Sequence, residues 1–318
     1  MARLFDLNPQ QLEAVTTTQG PVLILAGAGT GKTRVITMRI TYLLHEGVSP
    51  DAVLAVTFTN KAANAMRERV GTMVERAKAK RLTICTFHAL CVRILRQDIE
   101  RFGYKTNFAI YDEGDQLGLI RKIISRISAK NEKLDPQLAR NLISRAKNQH
   151  WKLAESATDN SLLAAVFERY QEELKAANAV DFDDLLILTV RLLETNPDVT
   201  KKWQERFQYL MIDEFQDTNR LQLELVRYLG CRHRNVCVVG DDDQSIYGWR
   251  GAEIANILEF EAHFPDPKII KLEQNYRSPT AILGLANSII RHNPRRRPKL
   301  LWSEKGIGQN VKIVAVPD

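Results

Sequence analysis

Short runs of β-branched and aliphatic residues recur in two separated parts of the chain. In the first they fall at 21–25, 52–57 and 82–86; in the second, at 209–212, 235–239 and 268–272. Segments with apolar residues at helical spacing follow, as at 34–44 after the first run. Continuous apolar runs of four to six residues read as strands buried on both faces. Their alternation with helices predicts a parallel sheet covered by helices, an α/β fold. From about 90 to 207 such runs almost vanish, and helical patterns over 117–127, 136–147, 161–175 and 183–193 replace them. The expectation is an α/β domain formed by 1–90 plus 208–279, with an all-helical domain inserted at 91–207. After an arginine-rich stretch between Pro294 and Pro298, residues 311–316 read as a strand with nothing after it to pair with.

The 318 residues suit two domains, and 44% hydrophobic with 26% charged residues is ordinary globular composition. A net charge of +7 fits a polyanionic partner. Segment 121–152 carries nine Lys or Arg against two acidic residues, either a basic binding side of the insert or a solvated face. Cys85, Cys91, Cys231 and Cys237 form no Cys-x-x-Cys pair and lack suitably spaced His, which argues for reduced thiols and against zinc. Membrane-length apolar runs and a signal-peptide pattern are both missing, so a cytoplasmic protein is expected.

The sharpest motif follows the first apolar run: Ala26-Gly27-Ala28-Gly29-Thr30-Gly31-Lys32-Thr33. Between a strand and a helix, such glycines let backbone N–H groups turn toward phosphate oxygens. The helix start adds its positive end, Lys32 a mobile charge, and Thr33 a hydroxyl for Mg²⁺. Asp213-Glu214 closes the run 209–212, so both carboxylates are expected at the carboxyl edge of the sheet. Asp213 suits Mg²⁺, and Glu214 suits orienting and deprotonating a water that attacks a γ-phosphate. The 181 positions separating Asp213 from Lys32 are what the inserted domain explains.

Other polar strand ends extend the pattern. Gln244, after the run 235–239, suits sensing a γ-phosphate, while Tyr247 and Trp249 offer rings for base stacking; core packing is the alternative for Trp249. Phe58 can stack a base, and Thr59 and Asn60 open a helix whose start suits phosphate oxygens. Thr86-Phe87-His88 repeats that arrangement, with His88 either a phosphate donor or a capping or core histidine. A guanine-binding reading of Asn60-Lys61 fails because Ala63 stands where an Asp is needed. Gln11 offers an amide that can pair with adenine, or merely begins a helix. Tyr276 can stack on adenine and Arg277 can reach a γ-phosphate, although a surface arginine is the plainer alternative.

Taken in chain order, these blocks resemble the superfamily 1A DNA helicases of the UvrD/Rep/PcrA type. The longest matches are Ile-Asp-Glu-Phe-Gln-Asp-Thr-Asn from 212 and Gly-Asp-Asp-Asp-Gln-Ser-Ile-Tyr-Gly-Trp-Arg-Gly-Ala from 240. The resemblance implies a RecA-like motor domain carrying a helical insertion, with ATP-driven 3′ to 5′ movement on single-stranded DNA and unwinding at single-strand/duplex junctions. It assigns Gln11 to adenine and the loop from Ala26 to Thr33, with Arg34, to the nucleotide. Thr33 and Asp213 go to Mg²⁺, Glu214 becomes the base, Gln244 the coupler of nucleotide to DNA, and Arg277 a γ-phosphate contact. Phe58, Tyr247 and Trp249 become stacking residues, joined at the DNA by Thr59, Asn60, Thr86, His88 and Arg250. Asp181-Phe182-Asp183-Asp184 marks where the insert rejoins the motor domain.

The family's later motifs, including a second-domain arginine of the ATP site, have no counterpart before Asp318. The reading is therefore an N-terminal portion with 280–318 beginning a second motor domain. It is expected to be monomeric, to bind ATP and DNA weakly and not to unwind. Repair or replication proteins are the expected partners, near the nucleoid. Two alternatives stand beside it: a non-motor ATP- and strand-binding regulator, and the motor part of a helicase–nuclease subunit. A kinase or GTPase reading fails for want of their other motifs.

Overall fold

The run Val-Leu-Ile-Leu-Ala is apolar on both faces and becomes strand β1 (Val22–Ala26), buried along its whole length. The computed structural model describes residues 6–127, 134–149, 161–309, 311–312 and 314, without the side chains of Gln149, Ser161 and Arg250. Further strands are β2 (Val53–Thr57), β3 (Thr83–Thr86), β4 (Ala109–Tyr111), β5 (Ala179–Asp181), β6 (Tyr209–Ile212), β7 (Val236–Gly240) and β8 (Lys268–Leu272). The chain divides into two compact units. One comprises Met1–Thr86, Trp203–Asn219 and Leu229–Asp318; the other comprises Phe87–Lys202 and Arg220–Tyr228.

In the first unit, runs from both parts of the sequence join one parallel sheet in the order β3-β2-β6-β7-β1-β8. The predicted runs differ from the strands by at most one residue at an end. Because the sheet is parallel and Leu25 faces Gly240, Ala26 faces Leu272 and Val56 faces Ile212, the strand ends come level. Parallel strands deliver their carboxyl ends to one edge, where open α/β sheets hold ligands. One core cluster joins the sheet interior to Ala14, Val35, Ile36, Ile40, Met66 and Val70 of the helices Pro9–Thr16, Lys32–His45 and Asn60–Gly71.

The second unit packs Ile120, Ile123, Ala139, Ile143, Val166, Tyr170 and Leu174 into its own core. Its helices Glu113–Ile127, Pro136–Gln149, Ser161–Ala176 and Phe182–Thr195 overlie the predicted helical patterns. It is not all-helical, however, because β4 and β5 form a parallel two-stranded ladder. Three residues apiece are too few for a period-2 signal to stand out.

Among the basic positions of 121–152, Lys147 is not on a surface. Its ammonium is buried 2.6 Å from Asp181 and 2.7 Å from Asp184, and the Tyr170 hydroxyl donates to Asp181 at 3.0 Å. Burial, partly offset by Lys147, pushes the Asp184 carboxyl up to about 6. Lys130, Lys133 and Lys152 lie outside the described residues. Of the strand expected at 311–316, Val311, Lys312 and Val314 belong to no strand, and the other positions also lie outside the described residues.

Lys147→Ala leaves Asp181 and Asp184 buried without a counter-charge. Removing one partner of a buried ion pair costs about 3–5 kcal/mol. Urea unfolding is expected to show a loss of that order, with the second unit melting first.

Candidate active site

The loop after β1 owes its shape to the close approach of the loop after β8. Gly29 has φ +73°, and a Cβ there would lie 2.8 Å from both Asn275 Nδ2 and Arg277 Cβ. Only glycine meets both constraints. Asn275 Nδ2 donates to the Ala28 carbonyl (2.6 Å) and the Tyr276 N–H to that of Gly29 (2.9 Å), pinning the crest of the loop. The Thr30 hydroxyl closes the turn onto Gly27 O at 2.8 Å. Helix Lys32–His45 then begins, placing the first N–H groups of a helix beside the loop.

Gln11 and Arg34 have partners inside the protein. Gln11 is buried, donates to Thr30 O at 2.9 Å and completes a capping box with Asn8. Arg34 is exposed and donates to Asp6 O at 3.2 Å. Ala26 is the buried last residue of β1.

Lys32 Nζ lies 3.3 Å from Glu214 Oε2, so the fold brings together residues far apart in the chain. That separation lacks hydrogen-bond geometry, and the ammonium is buried with no hydrogen-bond partner. Glu214 has φ +50° and ψ +47°, a left-handed conformation that costs a non-glycine residue of order 1–3 kcal/mol. Its N–H donates to Asp213 Oδ1 (3.1 Å), and its carbonyl accepts from Asp217 N (3.0 Å). Asp213 is buried; that burial, then Glu214, raises its carboxyl to about 7 against the pull of Lys32. Asp217 is raised to about 6, again by burial first and Glu214 second.

The loop after β7 runs alongside. Gln244 is exposed, and its amide donates to the Asp241 carboxylate. Tyr247 stacks on Phe58 with centroids 5.4 Å apart and planes 21° apart, joining two predicted stacking residues. Trp249 is 76% exposed, which excludes core packing. Thr59 caps the helix Asn60–Gly71 by accepting from Ala62 N at 3.1 Å, with Asn60 exposed as its first residue. Thr86 is buried at the end of β3. His88 belongs to the other unit, where its ring tilts against Phe182 and burial lowers its pKa. Tyr276 is half-exposed and hydrogen-bonded to Asn8 and Gln274; Arg277 is exposed beside Gly29. The Arg250 side chain lies outside the described residues.

Two residues inside the quoted motifs matter more than the sequence reading recognised. Gln216 donates to Glu214 Oε2 (3.0 Å) and Asp217 Oδ2 (3.2 Å), and accepts from Asp241 N (3.0 Å). It thus ties the loop after β6 to the loop after β7. A Cβ on Gly240 would meet its Oε1 at 2.7 Å. Asn275 does the same between the loops after β8 and β1. Nothing in their spacing signals either role; both depend on which strands neighbour each other.

A triphosphate with a divalent cation fits what these residues leave unmet. Buried polar atoms without partners are rare, yet Lys32 Nζ, Thr57 Oγ1 and Asp217 Oδ1 are all orphaned where β1, β2 and β6 give way to their loops. An anion would satisfy the ammonium, and a hard cation would suit the Asp213 carboxylate.

The profile of the family described as UvrD/REP helicase N-terminal domain matches residues 7–265. The "ATP-dependent DNA helicase PcrA" of Staphylococcus aureus is 48% identical over 98% of this chain and 43% of its own length. The protein of the same name from Staphylococcus epidermidis is 46% identical over 96% of this chain and 43% of its own length. The chain therefore spans less than half the length of these curated relatives. No helix of the described residues is long and apolar enough to cross a membrane.

Asp213 makes a pH-dependent prediction for the metal-free chain. A carboxyl raised on folding contributes stability below its unfolded pKa and loses it as pH rises through the folded value, here about 7. Asp213→Asn removes that loss. At about 1.4 kcal/mol per pKa unit, it is expected to be more stabilising at pH 8 than at pH 4.5 by roughly 2–4 kcal/mol. Urea titrations with a chelator present measure the difference; equal effects at both pH values contradict it.

Proposed function

The chain belongs to the UvrD/REP helicase N-terminal domain family, and from that premise we propose that it is the ATP-binding part of a motor working on single-stranded DNA. The observation that carries the reading is the buried, unsatisfied Lys32 ammonium 3.3 Å from Glu214. A buried ammonium ion-paired with a carboxylate but lacking any hydrogen-bond acceptor, at a helix start, suits a phosphate chain whose terminal bond is to be broken by water.

The roles follow from position. Lys32 and the N–H groups of the Gly27–Gly31 turn bind phosphate oxygens. Thr33 and Asp213 hold Mg²⁺, which when bound supplies charge neutralisation at the phosphates. Glu214 orients a water and takes its proton; Gln216 fixes the Glu214 carboxylate through the 3.0 Å hydrogen bond. Arg277, exposed beside Gly29, reaches a γ-phosphate, while Tyr276 serves the adenine end; Gln11 joins it by giving up its bonds to Thr30 O and the Asn8 N–H. Gln244 reports the nucleotide to Phe58, Tyr247 and Trp249, on which bases stack. Thr59, Asn60, Thr86, His88 and Arg250 meet the strand's phosphates.

For the whole protein we propose ATP-driven 3′ to 5′ movement and unwinding at junctions, in cytoplasmic DNA repair or replication. Its domain plan is a motor domain of 1–90 plus 208–279, an insert of 91–207, and a second motor domain starting near 280. Residues 1–318 alone, expected to be monomeric, then bind ATP and DNA weakly and do not unwind. An arginine of the second domain completes the site in this reading, and such fingers contribute about 10³–10⁵ in rate.

Two binding measurements test the proposal. A fluorescent ATP analogue with Mg²⁺ is expected to bind the chain, and Lys32→Ala to weaken it at least tenfold. Labelled oligo-dT is expected to bind with a salt-dependent affinity. One stacked base is worth roughly 1–3 kcal/mol, so Trp249→Ala should lose about 5- to 150-fold. Unchanged affinities in both variants overturn the reading.

A further inference from the structure

Three consecutive carboxylates, Asp241, Asp242 and Asp243, converge after β7, each with an oxygen within 4.8 Å of the others. Such a cluster resembles a cation site, and it already has an occupant. Lys299 Nζ lies 2.9 Å from Asp241 Oδ1, 2.6 Å from Asp242 Oδ1 and 2.7 Å from Asp243 Oδ2. The ammonium thus sits within ion-pair distance of all three carboxylates and donates a hydrogen bond to Asp242 Oδ1, and the Lys299 side chain is only 2% exposed. Burial disfavours its charge, but the attraction of Asp241 and the close approach of all three carboxylates hold its pKa above the ordinary value.

Neighbours on the same segment reinforce the contact. Arg296 forks onto Asp243 with bonds of 2.9 and 2.8 Å, and the Arg297 N–H donates to Asp242 Oδ2 at 2.7 Å. The segment then continues to the strand-end clamp. Leu300 N donates to Glu273 Oε1 (2.7 Å), Trp302 N to Glu273 O (3.0 Å), and Asn275 N to Trp302 O (2.7 Å). Leu301 covers Gly27, where a Cβ would lie 2.4 Å from its Cδ2. One stretch of chain, 296–302, therefore touches the phosphate loop, the loop after β8 and the triple-aspartate cradle.

Asp241 links that stretch to the proposed coupler. Its Oδ1 meets Lys299, while its Oδ2 accepts from the Gln244 amide. We propose that Lys299 is a positioning residue for nucleotide–DNA coupling. Its ammonium is the resident cation of the Asp241–Asp243 cradle and, through Asp241, sets Gln244 and the loop bearing Tyr247 and Trp249. The coupling clause rests on the function proposed above; the resident-cation clause rests on geometry alone, so the experiment separates them.

The test compares the chain with Lys299→Ala, each with and without ethylammonium, which can refill the vacated space. Hydrogen exchange of amides 242–249 is expected to rise at least tenfold in the variant and to fall back when the amine is added. Affinity for the ATP analogue with Mg²⁺ should stay within threefold, while the nucleotide-dependent change in oligo-dT affinity collapses toward one and is likewise restored by the amine. Unchanged exchange overturns the proposal. Raised exchange with coupling intact overturns the positioning role. Raised exchange without amine rescue overturns the resident-cation role.

A parent chain showing no nucleotide effect on oligo-dT overturns the coupling clause together with the functional reading, and exchange with rescue then still decides the cradle. Nucleotide-free Ca²⁺ binding by the parent chain that Asp243→Asn abolishes would overturn the resident-cation claim. If Lys299→Ala does not fold, Asp243→Asn removes one arm of the cradle and should raise the same exchange by a smaller factor; no rise would count against it.

Discussion

Everything at the candidate site depends on parallel strand register. Antiparallel pairing would send alternate loops to opposite edges, and Lys32 could not meet Glu214. With β1 between β7 and β8, and β6 beside β7, the loops carrying Lys32, Asp213, Gln244 and Arg277 leave one edge in succession. The hydrophobic effect selects this arrangement. Runs buried on both sides leave no polar face to signal an outer surface, and the crossovers between parallel strands supply helices to cover them. A long insertion costs little in this plan, because loop-closure entropy grows only logarithmically with length.

Register alone leaves neighbouring loops free to drift, and side-chain amides prevent it. Gln216 spans the loops after β6 and β7, and Asn275 those after β8 and β1. Each uses its acceptor and donor ends on different partners, so neither can be replaced by a carboxylate without leaving one partner unmet. A left-handed Glu214 is tolerated in this setting. The hydrogen bonds to its own N–H and carbonyl, and the amide on its carboxylate, over-determine a conformation that an isolated peptide would avoid.

This also explains what the sequence could and could not disclose. Strands β1, β2, β3, β6 and β7 were legible because burial at nearly every position leaves short, mostly apolar runs. Edge strand β8 was legible from Ile269, Ile270 and Leu272, although Lys268, Ile269 and Lys271 are exposed. The glycine-rich loop after β1 was legible because the phosphate-binding role proposed for it demands glycines in fixed order. Strands β4 and β5 were not, since Ala-Ile-Tyr and Ala-Val-Asp are too short to show alternation. The role of Lys147 was hidden too: in a basic stretch it looks like a surface charge, and only the fold sets it between Asp181 and Asp184. Gln11, Gln216, Asn275 and Lys299 share that obscurity. Each acts on a partner whose distance along the chain carries no periodic signature.

The acidic edge also raises an electrostatic question: how carboxylates in such number can face a polyanionic nucleotide. The structure divides them into two groups with different counter-charges. Asp241, Asp242 and Asp243 are countered by Lys299 and Arg296, with the Arg297 N–H donating to Asp242, so two of the three negative charges are compensated within the cluster. Hydrogen bonds from Arg296 and Lys299 outweigh burial and hold the Asp243 carboxyl below its usual range, the mark of a saturated cluster. Among the described residues, Lys32 is the cation acting on Asp213 and Asp217 and paired with Glu214, and the raised Asp213 and Asp217 carboxyls mark an unsaturated cluster. Added positive charge is therefore needed more at Asp213 than at Asp241. On the proposed function, a nucleotide arriving with its own divalent cation would meet the deficit beside Lys32, and the Asp241–Asp243 cluster would stay free to hold Gln244 in place.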